Sequence, residues 1–307
     1  MDQKTVDGRA WAALILLSGI RGGVFLAVRV ALDEMGPMTV VLHRVGWGAL
    51  LLWAVALARG LPLPGGVAVW GAFLVMGLLN NVVPFGLQAW GQLHIPSGLV
   101  AIFNAGTAVF GVLVAAVFLA DERLTARKAA GVSLGFAGVA TAIGWRELLA
   151  FDVTSLAQLA VVASTVSYAF AGVWGRTRLT GMPGEVAAAG MLTCSALVMV
   201  PVVLLTEGAP RLSLPAGTWI ALLYASLVAT AGAYLLYYAI LRRAGSGNVM
   251  LCTLLIAPVA IVLGATVRGE SLPAAAYGGF ALLALGLAVL DGRALRALRR
   301  IRPAGTG

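Results

Sequence analysis

The sequence has little charge, and none of its carboxylates falls inside a long apolar run. Only 11% of its 307 residues are Asp, Glu, Lys or Arg, whereas 61% are hydrophobic. Soluble domains carry roughly 25% charged residues. All twelve acidic residues lie between the apolar runs or at their ends. This composition excludes a soluble globular fold and indicates a chain that lies in a lipid bilayer.

Cysteine and lysine are also scarce, and their placement excludes several classes of protein. The cysteines, Cys194 and Cys252, each lie in an apolar run, which supports neither a disulfide framework nor a metal site. The lysines, Lys4 and Lys128, follow no glycine-rich loop, so a Walker motif is absent and ATP does not drive the protein directly. The spans hold no metal-binding cluster and no nucleophile beside a base. We expect no enzyme, no metal and no cofactor.

The net charge of +9 comes from basic residues between the apolar runs and at the C-terminus. Basic residues in such places orient membrane helices, so nucleic acid is not an expected partner. The first run extends from Trp11 to about Leu32, which is too long for the core of a signal peptide, and we expect it to remain as a span.

The apolar runs predict an all-α integral membrane protein with ten transmembrane helices. Roughly 20 apolar residues cross a hydrocarbon core of about 30 Å. With the N-terminus inside the cell, 15 of the 21 basic residues fall on the cytoplasmic side, and both termini are then cytoplasmic. The predicted helices lie near residues 10–31, 38–58, 67–90, 96–119, 126–144, 154–174, 184–205, 216–240, 246–267 and 273–291.

The stretch 88–144 returns at 236–292, after a shift of 148 positions, and this repeat predicts two halves. Glu122 falls on Glu270, and several Leu, Ala and Gly residues also coincide. Five helices per half is an odd number, so the second half enters the membrane with the opposite orientation. We predict two inverted five-helix repeats, residues 1–148 and 149–292. A basic tail, residues 293–307, follows and is expected to lie on anionic lipid.

Arg21 is the charged residue nearest the middle of a span. It lies ten residues beyond Trp11, about 15 Å along a helix. A charge at that depth needs water, carbonyl groups or an opposite charge, and no span supplies an acid. A substrate carboxylate can be that partner, although a structural role in a wet cavity is equally open. His43 and Arg44 lie nearer a span end, where we expect a structural role and a side chain that snorkels to the interface.

The third span carries the most polar segment of the chain. Asn80 and Asn81 precede Pro84, which removes a backbone donor and makes this segment a predicted hinge. Gln88 continues the same helix face, so these amides can line a cavity. The alternative is that they form hydrogen bonds between helices, each worth about 0.6–2 kcal/mol.

Other spans offer further polar candidates for a cavity wall. Asn104 and Thr107 form a pair at i+3 spacing in the fourth span, and Tyr168 lies in the sixth. The eighth span, equivalent to the third in the repeat, carries Thr230, Tyr234, Tyr237 and Tyr238 in place of asparagines. The two halves are therefore expected to line one cavity differently. Buried tyrosines can stack on a side chain or an ammonium group.

Several short motifs together resemble the drug/metabolite transporter superfamily and its EamA-type exporters, in the branch of the aromatic amino acid exporters. The resemblance covers nearly the whole chain. The motifs are Ser18-Gly19 with Phe25, Pro37 with Arg44, Pro96-Ser97-Gly98, the hairpin 120–125 and its second copy, 268–272. Such proteins often carry a proline in both the fourth and the ninth helix. In this sequence the ninth helix carries Pro258, whereas the fourth has no proline. Pro258 is therefore the second predicted hinge, after Pro84. Without a proline in the fourth helix, we do not expect the two halves to bend in the same way.

The resemblance implies a secondary transporter that exports amino acids or similar small metabolites across the bacterial inner membrane, by alternating access through a central cavity. The expected partners are the small-molecule substrate and membrane lipid, and the expected state is a monomer. Export of hydrophobic or cationic drugs is the alternative within this fold. A lipid scramblase or an intramembrane enzyme is the alternative from another class.

Overall fold

A computed structural model describes residues 8–120, 124–143, 153–211, 213–244 and 246–291, and side chains within them except those of 8–11, 241–254 and 291. Several sequence predictions lie outside the described residues. They are the hairpin at Glu122, the half boundary at residues 148 and 149, and the basic tail 293–307.

Every regular element in the described ranges is a helix, as the sequence predicts. Two π-helical segments interrupt the α-helices: Leu78–Val82 follows the third and Tyr224–Gly232 follows the tenth. The α-helices are α1 Gly8–Ala31, α2 Pro37–Ala58, α3 Val67–Gly77, α4 Val83–Gly91, α5 Ser97–Ala105, α6 Thr107–Phe118, α7 Ala126–Ile143, α8 Val153–Arg178, α9 Gly184–Thr206, α10 Ala216–Leu223, α11 Ala233–Ala244, α12 Ser246–Arg268 and α13 Ala274–Asp291.

Within the described residues, seven helical stretches are long and apolar enough to cross a membrane, and two shorter ones are apolar. The predicted helix positions agree closely with the observed ones, while the count of ten spans remains a prediction. The seven stretches are Ala12–Ala31, Pro37–Ala58, Val67–Gly91, Ser97–Phe118, Val153–Arg178, Gly184–Thr206 and Ala216–Ile240. The shorter ones are Leu255–Arg268 and Ala274–Leu290.

Prolines and carboxylates define where the helices start. Pro37 is the first residue of α2, where a missing amide hydrogen costs nothing. The free amides of the next turn are then satisfied by Glu207, at the end of α9. Its carboxylate accepts from the backbone nitrogens of Met38 and Thr39, both at 2.8 Å, and from the Thr39 hydroxyl at 2.6 Å. An acid suits the positive end of a helix, so this contact joins α9 to α2.

Glu270, the repeated glutamate, makes the same kind of contact. Its carboxylate accepts from the backbone nitrogen of Ser97 at 2.9 Å and from the Ser97 hydroxyl at 2.7 Å. Nearby, Arg268 forms a bidentate ion pair with Asp33, at 2.7 and 3.1 Å. Both contacts join the first half of the chain to the second at one end of the molecule.

Helices α7 and α13, which correspond in the repeat, pack against each other in antiparallel fashion. Gly138 lies against Gly279 and Leu283, and Gly131 lies against Gly286 and Leu290. A Cβ atom on Gly138 would be 2.6 Å from the backbone nitrogen of Leu283. The glycines are therefore required because the two backbones touch.

Helices α2 and α9 also correspond in the repeat and are antiparallel neighbours. Glu207, just after α9, contacts the start of α2, and Arg59, just after α2, pairs with Glu185 at the start of α9 at 3.2 Å. Between these ends, the Trp53 indole donates to the Thr193 hydroxyl at 2.8 Å. The C-terminal end of each helix is thus bound to the N-terminal end of the other.

The helix breaks differ from those that the prolines suggest. Pro258 lies inside α12, which is continuous from Ser246 to Arg268. The equivalent stretch in the first half has no proline, yet it is interrupted at Gly106, between α5 and α6. Pro84 is the second residue of α4, the helix that follows the π segment Leu78–Val82. Irregular backbone inside the third stretch thus coincides with its asparagines.

Candidate functional site

One cavity of about 560 Å³ lies between the two halves of the chain. Residues of both halves form its wall, from α1 to α12. The polar part of the wall comprises two arginines, four amides, two threonines and four tyrosines: Arg21, Arg44, Asn80, Gln88, Gln92, Asn104, Thr107, Thr230, Tyr168, Tyr234, Tyr237 and Tyr238. Apolar side chains, among them Phe25 and Phe85, supply the rest.

Arg21 lies on the cavity wall, in the middle of α1. Its side chain is half-buried, and no described residue accepts a hydrogen bond from its guanidinium or forms an ion pair with it. A cation at membrane depth without an acid is costly unless water or a bound anion compensates it. Its position on the cavity makes either compensation possible.

Arg44 also faces the cavity, contrary to the expectation that it snorkels to the interface. Its Nε donates to the Thr230 hydroxyl at 2.9 Å, and its guanidinium carbon lies 3.7 Å from the centre of the Phe85 ring. The turn of α2 directs this side chain inward, where a hydroxyl and an aromatic face hold it. Arg21 and Arg44 lie within electrostatic range of each other and of Tyr168 and Tyr234.

The asparagines of the π segment connect the halves. Asn80 donates to the Tyr234 hydroxyl at 2.7 Å, and Tyr234 in turn lies 3.4 Å from the Asn81 carbonyl oxygen. Asn81 is fully buried and donates to the Ser195 hydroxyl at 3.1 Å. A π turn adds a residue to the helical ring, which sets the directions of neighbouring side chains apart from those of an α-helix. Asn80 lines the cavity, whereas Asn81, the next residue, packs behind it.

A second amide network joins two helices of the first half to α8 of the second half. The Gln88 side-chain nitrogen donates to the side-chain oxygen Oδ1 of Asn104 at 3.1 Å and to the Ser164 hydroxyl at 3.0 Å. Thr107 donates to the backbone carbonyl of Asn104 at 2.7 Å, next to the break at Gly106. These bonds fix three helices around one side of the cavity. Gln88 and Asn104 therefore form hydrogen bonds between helices, which was the alternative role considered for such amides, and they also line the cavity wall.

The tyrosines form the aromatic part of the wall. The rings of Tyr234 and Tyr238 are stacked with centres 6.4 Å apart, and Tyr237 meets Tyr238 edge-on at 5.4 Å. Tyr168 faces them from α8 on the same cavity. Such a wall can accept a flat or apolar group and offers hydroxyls beside it.

Gln92 is a wall residue with spare hydrogen-bonding capacity. Its side chain is 3% exposed, and its Oε1 has no partner among the described residues. A buried amide oxygen without a donor is costly, so it marks a place where a ligand N–H or a water can bind. Across the described part of the chain, no group of three His, Cys, Asp or Glu side chains could hold a metal ion.

Seven of the eight candidate binding residues from the sequence lie on this wall, and Asn81 lies one layer behind it. The two hinge candidates, Pro84 and Pro258, are not wall residues. Sequence reasoning missed Arg44 and Gln92. The signal for Arg44 was present, since it is a second arginine inside a span with no acid to meet it.

Both halves of the chain match one protein family, described as the EamA-like transporter family, over residues 9–144 and 155–290. A probable terminal-alkyne amino-acid exporter from Streptantibioticus cattleyicolor is 26% identical over 291 residues, which cover 92% of this chain and 93% of that protein. An uncharacterized inner membrane transporter of Escherichia coli, YedA, is 25% identical over 264 residues, or 85% of this chain and 84% of that one.

The fold also resembles that of a protein solved by crystallography. The two superpose with a TM-score of 0.64 at 21% sequence identity, and the match covers 94% of this chain and 98% of the other. At that identity the likeness concerns the fold alone.

Proposed function

The chain belongs to the EamA-like transporter family, and we propose that it exports amino acids or similar small metabolites across the bacterial inner membrane. It is a multi-pass membrane transporter with two repeats. The amino-acid exporter among its relatives supports the substrate class, and no name among them supports an enzyme. The finer assignment to exporters of aromatic amino acids draws its support from the tyrosine wall.

The observation that carries the proposal is the guanidinium of Arg21 on the cavity wall. It has no hydrogen-bond or ion-pair partner among the described residues, although a cation at membrane depth needs one. The carboxylate common to all amino acids is a bidentate match for a guanidinium. The nearby amides and tyrosines would hold the rest of the substrate. These are Asn80, Gln88, Asn104, Thr107, Tyr168 and Tyr234, with Asn81 supporting Tyr234 from behind.

The proposed topology is ten transmembrane helices in two inverted five-helix repeats, residues 1–148 and 149–292, with both termini and the basic tail in the cytoplasm. The antiparallel packing of α7 on α13 and of α2 on α9 supports the inversion, since equivalent helices related by a two-fold axis in the membrane plane must run in opposite directions. We propose that a single chain suffices for transport, because the two halves of one chain together form the described cavity wall.

Alternating access would move one half against the other around this cavity. The segment from Leu78 to Pro84 combines a π turn with a proline, and Gly106 interrupts the next helical stretch, so these sites can absorb changes in backbone angle. We retain Pro258 as a hinge candidate, because the freed carbonyl in its α-helix lowers the resistance to bending.

Uptake by proteoliposomes tests the function. Purified protein is reconstituted, and the uptake of labelled phenylalanine, leucine and glutamate is compared with uptake by vesicles without protein. Uptake faster than in empty vesicles supports the function. If unlabelled amino acid inside the vesicles accelerates that uptake further, the protein acts as a carrier. If none of the labelled amino acids crosses faster than in empty vesicles, the substrate class is wrong. Cell survival on toxic cations versus toxic amino acid analogues separates amino acid export from drug export.

A further inference from the structure

We propose that Arg21 and Arg44 form one anion-binding site and that the preferred substrate carries a net negative charge. This inference rests on the proposed function, in that the cavity is taken as the transport site. It narrows the substrate from amino acids in general to metabolites whose carboxylate is not balanced by an ammonium group, such as N-acylated or dicarboxylic amino acids. The two guanidiniums share one cavity and lie within electrostatic range of each other.

Arg44 is held in a position from which it can bind a ligand. Thr230 accepts from its Nε at 2.9 Å, and the Phe85 ring lies 3.7 Å from its guanidinium carbon. These contacts leave the two terminal nitrogens without a described hydrogen-bond acceptor. A guanidinium fixed by its Nε and one face presents those nitrogens as a fork, which is the geometry that carboxylates favour.

The described wall of the cavity supplies no negative charge to balance the two arginines. It contains neither Asp nor Glu. Glu185 lies within electrostatic range of Tyr238, but its carboxylate is paired with Arg59 at 3.2 Å. Because the described wall offers no acid, we assign the compensating charge to what enters the cavity.

A zwitterion compensates this site poorly. Its carboxylate offsets one guanidinium, but its ammonium group adds a positive charge to a cavity that already holds two. Removing that charge, for example by acylating the amine, leaves a neutral N–H. Gln92 Oε1 is buried, has no described partner and lies on the same wall, so it can accept that N–H.

Three ligands that differ in one charged group test the proposal on the purified full-length protein. They are phenylalanine, N-acetylphenylalanine, which lacks the ammonium group, and phenylalanine amide, which lacks the carboxylate. Binding is followed by thermal stabilisation and by competition for uptake in proteoliposomes. We expect half-saturation by N-acetylphenylalanine at a concentration about tenfold lower than by phenylalanine, and no detectable binding of the amide.

Variants then assign the preference to Arg44. Arg44→Gln should reduce the tenfold preference to about twofold or less, whereas Arg44→Lys, which keeps the charge, should retain part of it. Arg178→Gln is the matched control, because Arg178 is exposed at the end of α8 and away from the cavity wall. A melting temperature near that of the wild type identifies variants that remain folded. If Arg44→Gln does not fold, Arg44→Lys and the ligand series still decide the matter.

Benzoate and benzylamine, titrated in the same way, separate this inference from the proposed function. Equal binding of the two, or of phenylalanine and its N-acetyl derivative, overturns the anion site even if phenylalanine is transported. Binding of benzoate alone, without binding or transport of any amino acid derivative, supports the anion site and refutes the proposed substrate class.

Discussion

Asn80 donates a hydrogen bond of 2.7 Å to the hydroxyl of Tyr234, and this bond spans the cavity wall from one half of the chain to the other. Asn80 lies in the first π segment, and Tyr234 is the second residue of the α-helix that follows the second π segment. The bond thus links the first π segment to the α-helix that follows the second, at the candidate binding site. A substrate that contacts either residue also contacts the joint between the halves.

Substitution of Tyr234 by Phe should remove the hydrogen bond between the two halves while keeping the aromatic ring on the cavity wall. The ring remains, while Asn80 loses its acceptor, so we expect a loss of about 0.6–1.7 kcal/mol in stability. Thermal unfolding in detergent of Tyr234→Phe, Asn80→Ala and the double variant measures the coupling between the two residues. Additive losses in the double variant would show that the hydrogen bond contributes nothing.

Replacement of Arg21 by Gln should impair transport while leaving the fold intact. The charge-assisted hydrogen bond to a carboxylate would be lost, which corresponds to about 1.5–3 kcal/mol or a roughly ten- to hundredfold weaker interaction. Uptake by proteoliposomes at several substrate concentrations is the measurement, and Arg178→Gln is the control for the loss of a positive charge. Unchanged uptake by Arg21→Gln would argue for a structural role of Arg21.

Gly138→Ala should destabilise the protein far more than Gly111→Ala. A Cβ atom on Gly138 meets the backbone of α13 at 2.6 Å, so α7 and α13 must separate, at a cost of about 1–3 kcal/mol. At Gly111, in α6, a Cβ atom meets nothing within 4 Å. Melting temperatures of the two variants test the close approach of α7 and α13, and equal values would contradict it.

Asp33→Asn should alter transport kinetics more than stability. Asp33 accepts a bidentate pair from Arg268 and a single bond from Arg29, so its charge joins α1 to the end of α12. The three side chains are partly exposed, and such pairs contribute only about 0–1 kcal/mol to stability. If these contacts close one end of the cavity, the variant should favour the conformation open at that end.

Accessibility of an engineered cysteine measures that change. Val28→Cys places a thiol on the cavity wall within two turns of Asp33. A water-soluble thiol reagent should modify this cysteine faster in Asp33→Asn than in the protein with Asp33. The charge-swapped variant, Asp33→Arg with Arg268→Asp, should restore the original rate. A rate unaffected by either change would leave the ion pair without a role in closure.

Much of the fold follows from local properties of the sequence. Apolar runs of about 20 residues must be helical in lipid, because each backbone amide needs a partner within its own segment. The starts predicted near residues 38 and 96 lie within one residue of the observed starts, Pro37 and Ser97. The break at Gly106 was not predicted, since a proline-free apolar run gives no local reason to stop.

The candidate site was only partly predictable. Arg21 and the amides of the third and fourth stretches were identified by their polarity at membrane depth. Their partners were not, because Ser195, Ser164 and Thr230 reach the site from distant parts of the chain. The role of Glu270 was equally hidden. The repeat made it conspicuous, but only the assembled helices place it over the free amide of Ser97.

The sequence by itself determined that this chain is a two-repeat helical membrane protein with cationic residues and no acids in its spans, because length, apolarity and charge are local properties. The tertiary structure decided which polar side chains share a cavity. It turned Arg44 inward onto Thr230 and Phe85, and it left Asn80 on the wall while Asn81 packs on Ser195. These outcomes depend on the rotation of each helix about its own axis. Packing against neighbouring helices sets that rotation, so it cannot be deduced from the sequence of one segment alone.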